Sequence, residues 1–214
     1  MDPIARAMFM GSAGVAGLPE IGDSYEGGFV AGYISQNADG VATHGLIVAP
    51  SASGYNGKAN TQFKTSNTST SGTTSVYDGA ANTANMSNTD HPAANYCAGL
   101  SIGGYSDWYL PAWYELEIAY YNLKPTTTSN DTSYGTNSYA VPARASNYTT
   151  GDPAQTSLTD FQESGGEDFV AGNHWTSTES GGTQAMRIHM NLGTQVASNK
   201  TLTMLVRAFR KFSV

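Results

Sequence analysis

Catalysis or metal binding in this chain would have to be built from four histidines (His44, His91, His174 and His189), one cysteine (Cys97) and an acidic group, Asp160, Glu163, Glu167 and Asp168. No two histidines have the close spacing of a helical zinc motif, and a lone cysteine excludes an intrachain disulfide and a thiolate cluster. No metal site and no cofactor is assigned. The segment DTSYGTN, residues 131–137, is rich in oxygen ligands but lacks the spaced acids and final glutamate of a calcium loop. Serines are abundant, yet none sits in the G-x-S-x-G context that exposes a nucleophile on a sharp turn. Glycosidic cleavage needs two carboxylates facing each other across a cleft; four acids crowded into one segment read more simply as a solvated loop. An enzyme acting on cell-surface polysaccharide is therefore the least supported function, and none of these residues is assigned a catalytic role.

Composition narrows the partners. Charged residues make up 13% of the 214, against about 25% in an average domain, and the formal net charge is -7. Nucleic-acid affinity draws on clustered Lys and Arg, so a polyphosphate partner is disfavoured. Serine, threonine, asparagine and glycine must keep the surface wet instead. Near the N-terminus, MDPIARAMFMGSAGVAG has neither a basic leader nor an apolar run long enough to cross a bilayer, so neither a signal peptide nor membrane insertion is expected.

The elements that would position a site follow from spacing. Residues 1–17 read as a flexible arm and residues 18–214 as one domain. Phe29, Val30, Tyr33 and Ile34, with Gly28 and Gly32 among them, predict a strand; THGLIVAP, residues 43–50, predicts a second. The short turn between them requires antiparallel pairing. Residues 51–88 read as long ordered loops anchored by Phe63, Val76, Tyr77 and Met86. Asp90 is the expected N-cap of a helix carrying Ala93, Tyr96, Cys97 and Leu100, and Cys97 reads as a small buried hydrophobe. DWYLP, residues 107–111, is extended, because Pro111 holds Leu110 out of the helical region. After it the period changes: Leu116, Ala119, Tyr120 and Leu123 share a helical face, with Glu115 favoured near the positive end of the helix and Glu117 off that face. A polar excursion anchored by Tyr134, Tyr139, Val141 and Tyr148 follows, then a short helix within residues 156–169. Four short segments separated by tight turns close the chain as antiparallel strands. The fold class expected is α+β: small antiparallel sheets, two flanking helices and long ordered loops.

Three motifs in order carry a resemblance. G-x-x-D-W-x-L-P with its Glu-Leu helix, then WTSTE (175–179), then VRAFR (206–210) resemble the domain of unknown function found at the C-terminus of the Legionella collagen-like adhesin, a relative of the C-type lectin fold. The upstream EGGFVAGYIS and GLIVAP are similar to the variant carried by tailed-phage virion proteins, so the resemblance spans nearly the whole chain. It implies a C-type-lectin-like scaffold with both ends of the domain joined in one sheet and a face of loops near the C-terminal strands. It further implies a virion surface protein, a capsid decoration or fibre-attached adhesin, displaying the domain to protein or glycan. The alternative is a host-receptor tip of a tail fibre. Other virion proteins are the expected partners, a homotrimer the expected assembly, and a host-surface glycan or protein a further candidate ligand.

Residue by residue, the motif positions Asp107, Trp108, Leu110, Pro111, Glu115, Leu116, Trp175, Glu179, Arg207 and Arg210 read as structural. The tryptophans are large apolar payloads with one N–H each to satisfy, and Asp107 and Glu179 are expected to cap backbone N–H groups or to pair with Arg207 or Arg210. The binding face implied lies between WTSTE and VRAFR: Gln184, Met186, Arg187, His189, Asn191, Gln195, Ser198, Asn199, Thr201 and Met204. His174 and His189 fall in that region as candidates for exposed contacts, while His44 and His91 read as structural. The carboxylate–amide pairs through which calcium-dependent lectins hold sugar are absent, so calcium-dependent sugar binding is not expected.

Overall fold

The computed structural model describes residues 17–56 and 61–214. All but the last residue of the expected N-terminal arm lies outside them. Strands β1 (Ser24–Tyr25), β2 (Gly28–Ile34) and β3 (His44–Val48) form the expected antiparallel hairpin and its extension, with Phe29 opposite Val48 and Ile34 opposite His44. The last strand, β10 (Phe209–Ser213), lies on the far side of β3, and β5 (Ala140–Val141) lies against β2. The first and last strands of the described chain thus share one sheet. Two glycines of β2 are required by close approach: a Cβ at Gly28 would stand 2.4 Å from the Val48 carbonyl, and one at Gly32 would stand 2.5 Å from Ile118.

That second contact belongs to helix α4 (Trp113–Leu123), which lies on β2. Its expected face of Leu116, Ala119, Tyr120 and Leu123 is buried. Glu115 and Glu117, expected off that face, are buried as well: Glu115 is enclosed by Gly79, Tyr109 and Ala112, and the 126–156 excursion covers Glu117 with Asn137, Arg144 and Tyr148. The helix is enclosed rather than laid on a surface.

Two further expectations are corrected. Residues 51–88 are not loops alone: they include α1 (Ser51–Gly54), β4 (Thr61–Gln62) and α2 (Gly79–Ala84), the last capped by Asp78, whose carboxylate accepts the Ala81 N–H at 3.1 Å. Elements of two to six residues are too short to leave a periodic signature. Helix α3 (Pro92–Ala98) starts after His91 rather than after Asp90, with His91 Nδ1 at 2.6 Å from Asn88 Oδ1. The described residues hold four α-helices where two were expected, and the short helix expected within 156–169 is a single 3₁₀ turn, Thr159–Phe161.

Strands β6 (Asn173–Glu179), β7 (Gln184–His189) and β8 (Gln195–Asn199) make a three-stranded antiparallel sheet, and β9 (Thr203–Met204) pairs with β4. The segment TMLVRAFRKF, expected as one strand, is split between β9 and β10 in two different sheets. Two cores result. One packs α4 on β2 and β3 with Ile188 and Met190; the other gathers Trp108, Trp175, Phe63, Cys97 and Val206. Burying about 200 Å² of each indole at about 25 cal/mol per Å² stabilises by roughly 5 kcal/mol before the entropy of ordering is subtracted. The architecture is mixed α and β, mostly small antiparallel sheets with few helices, consistent with the α+β class expected.

Candidate functional site

The motif residues build the frame. Arg210 Nε donates to Asp107 Oδ1 at 2.8 Å and its Nη1 to Glu26 Oε2 at 2.5 Å. Glu179 does not reach either motif arginine: it takes buried Lys200 at 2.6 Å and accepts the Thr70 N–H at 3.1 Å. Arg207 pairs with Glu167 at 2.8 Å, donates to the Ala49 carbonyl and lies 4.7 Å from the Phe169 ring centroid. Glu167 also accepts the Ser51 N–H at 2.7 Å, so the acidic group read as solvated supplies a structural carboxylate. Trp108 Nε1 donates to Tyr105 O and Trp175 Nε1 to Thr61 O. Leu110, Pro111 and Leu116 are buried.

Perturbed titratable groups in a cleft are ordinarily the first pointer to chemistry, but here they are sealed. Burial pushes the Glu115 carboxyl up to about 7, against the Ala112 N–H it accepts at 2.7 Å; Gly79 N–H and Tyr109 O–H occupy the rest of it. Burial presses His174 down to about 3. Expected as an exposed contact, His174 is 1% exposed: its Nδ1–H donates to Gly172 O, and Nε2 accepts from the Tyr55 hydroxyl. Neither group faces a space where a reactant could stand. Among the described residues no group of His, Cys, Asp and Glu could hold a metal ion.

The residues expected on the binding face divide. Gln184 and Asn199 stand opposite each other across β7 and β8, and both are exposed. Arg187 is half-buried, with Nε donating to Ser198 Oγ at 2.8 Å and Nη1 to Asn173 Oδ1. His189 is half-buried, its pKa lowered by burial and then by Arg187, and its Nδ1 accepts the Asn191 N–H at 3.3 Å. Asn191 Oδ1 accepts from the Thr126 hydroxyl, and the Thr201 N–H donates to Asn67 Oδ1. Met186, Gln195 and Met204 are buried and leave the exposed set. Met186, Ile188 and Gln195 share one face of the sheet, where Gln195 Oε1 accepts the Trp113 indole N–H at 2.6 Å; Gln184 and Asn199 lie on that same face but at the strand ends, where they are exposed. Met204 is drawn into the second core by its pairing with β4.

Beside Asn173 a cleft of about 430 Å³ opens between residues 171–173 and 202–205, with Leu202 half exposed at its mouth. Tyr77, Tyr114, Tyr139 and Arg144 were given no binding role by sequence reasoning. Tyr77 and Tyr139 stack at 4.6 Å between centroids, Tyr139 on Tyr114 at 5.6 Å, and Tyr114 on Trp113 at 5.1 Å. The adjacent pair Trp113–Tyr114 at a helix start was a visible signal; the two tyrosines that extend it come from distant segments. No protein-family model matches this chain, and no curated protein matches it.

Proposed function

We propose that this chain is a bacteriophage virion surface protein, carried on the capsid or a fibre, that displays a C-type-lectin-like domain for binding protein or glycan rather than for catalysis. One observation carries the reading: the residues that bear the resemblance are those that build the frame. Asp107, Trp108, Glu115, Trp175, Glu179, Arg207 and Arg210 are each engaged in packing, a cap or an ion pair. The joining of β1, β2, β3 and β10 in one sheet supports the same scaffold. Gln184 and Asn199 at the strand ends on one face of β7 and β8, Arg187, His189 and Ser198 on the other, and Asn191 and Thr201 in the turns beside them are then the contact set around these two strands. Other virion proteins are its partners, and a trimer its assembly.

Cryo-electron microscopy of the particle tests this. Density for the domain on the capsid lattice or on a tail fibre is expected, with incorporation lost when residues 1–17 are removed. A particle that lacks the chain altogether would remove the proposal.

A further inference from the structure

The stacked row of Tyr77, Tyr139, Tyr114 and Trp113 is half-buried. Among the described residues the hydroxyls of its three tyrosines make no hydrogen bond, although the polar groups beneath them are engaged. About two turns further along α4, roughly 10 Å from Tyr114, Tyr121 forms one wall of a hollow of about 170 Å³. Arg144 lies over Tyr121 with its guanidinium carbon 4.2 Å from the ring centroid. Its Nη2 is held by Glu117, while its Nε is buried without a hydrogen-bond partner among the described residues. Exposed Ser146, Asn147 and Asp152 complete the rim.

We propose that the hollow and the tyrosine row form one binding strip for an uncharged saccharide chain, held without a metal. Charge decides the class. The ions bordering the strip are matched, Asp78 with Lys211 at 2.9 Å and Glu117 with Arg144, and Asp152 adds a carboxylate whose one side-chain partner among the described residues is the Tyr121 hydroxyl at 3.3 Å. Among the described residues an anionic ligand meets no unpaired cation there and one repelling group. Phenol hydroxyls both donate and accept, which suits a polyol. Size decides against a globular protein partner. Four half-buried rings present on the order of 200 Å², whereas a stable protein interface takes about 800 Å² from each side. Because the rings stack on one another, the row is rigid and little ordering entropy is lost on binding. The inference stands whether or not the chain is carried on a virion, since it concerns a surface beside α4 and not the β7–β8 contact set.

The full chain is applied, with chelator present, to an array of neutral hexose and N-acetylhexosamine oligosaccharides alongside sulfated and carboxylated counterparts. Binding to neutral members is expected, at least tenfold weaker in the triple variant Tyr77→Phe, Tyr114→Phe, Tyr139→Phe, which keeps the stack and removes only the hydroxyls. Ser146→Ala with Asn147→Ala, on the exposed rim, supplies an independent loss of several-fold should the triple variant fail to fold. Retention on none of the neutral glycans, preference for the anionic ones, or neutral binding unchanged in a folded triple variant or in the rim variant would each overturn the assignment.

Discussion

The two halves of this molecule treat polar groups in opposite ways. In the frame, most carboxylates and cations are buried or half-buried and are committed to partners: Glu115 to two backbone N–H groups and a phenol, Glu117 to Arg144, Asn137 and Tyr148, Glu179 to Lys200, Glu167 to Arg207. Along β7 and β8 and the tyrosine row, many side chains are half-buried or exposed, and several polar atoms make no hydrogen bond among the described residues. A buried charge is tolerable only when matched, and removing one partner is far more costly than never having had either. A domain with so few charged residues has therefore placed many of its ions inside, and turned hydroxyls and amides outward.

The sharpest way to break this contrast is Arg207→Ala. The substitution strands the Glu167 carboxylate and the Ala49 carbonyl and empties the contact on Phe169. Loss of about 3–5 kcal/mol in denaturant unfolding is expected. A loss under about 1 kcal/mol would mean that the frame does not depend on its internal ions.

Glu115 gives the next largest effect, and its sign is opposite to that of an ordinary salt-bridged acid. The carboxyl titrates near 4.5 when unfolded and near 7 in the fold. Between those values the folded chain binds the extra proton, so stability declines as pH rises, by at most about 3 kcal/mol across the window. His174 acts in the opposite direction: its folded pKa of about 3 lies below the ordinary 6.5, so its contribution is present above 6.5 and lost as pH falls. The two partly cancel in the wild-type curve. Glu115→Gln leaves His174 in place, so the stability of the wild type minus that of the variant isolates the glutamate. That difference should fall between pH 4.5 and pH 8; a flat difference would show that the capped carboxylate is ionised throughout.

How much of this was legible depends on the distance over which a residue finds its partner. The β2–β3 hairpin, the buried face of α4 and the extended piece before it were readable because their determinants are local: strand-forming residues on either side of a short connection, a helical spacing of apolar residues, a proline. For Asp107 and Glu179 the expectation left open a backbone cap, Arg207 or Arg210: Asp107 takes Arg210, whereas Glu179 accepts the Thr70 N–H and pairs with Lys200, a cation placed by the turn after β8. Burial of Glu117 and exposure of the tyrosine row share one cause. The 126–156 excursion folds back over α4, and no periodicity within a single element announces it. Gln195 shows the same limit: a one-residue change of register would have turned it outward.

At the boundary between the two halves, Asp107→Ala should cost only about 0.5–1 kcal/mol. The Asp107 side chain is 57% exposed, which screens the pair, and Arg210 keeps its bond to Glu26. Melting temperature should drop slightly while ligand binding by the folded protein is unaffected. Lost binding at unchanged stability would move Asp107 from the frame to the rim.

The smallest effect on stability belongs to Gln184→Ala combined with Asn199→Ala. These residues face each other across β7 and β8 and are both exposed, and neither side chain makes a hydrogen bond among the described residues. Alanine at both sites leaves the backbone ladder intact, and the cross-strand pair is polar and solvated, so the change should stay within about 0.5 kcal/mol by thermal or denaturant unfolding. The same double variant removes two exposed amides from one end of the proposed contact set, so it should weaken attachment of the domain to the proposed virion partner, measured as occupancy per purified particle. Unfolding energy and occupancy report different things here, and the contrast requires them to separate. If the double variant lowered stability by more than about 1 kcal/mol, the outer sheet would be part of the frame and its amides no longer free for a partner. If stability and occupancy both held, the contact would have to lie elsewhere on the rim, with Arg187 and His189 next in line, since they flank the buried Ile188 on the same strand and remain half open to solvent.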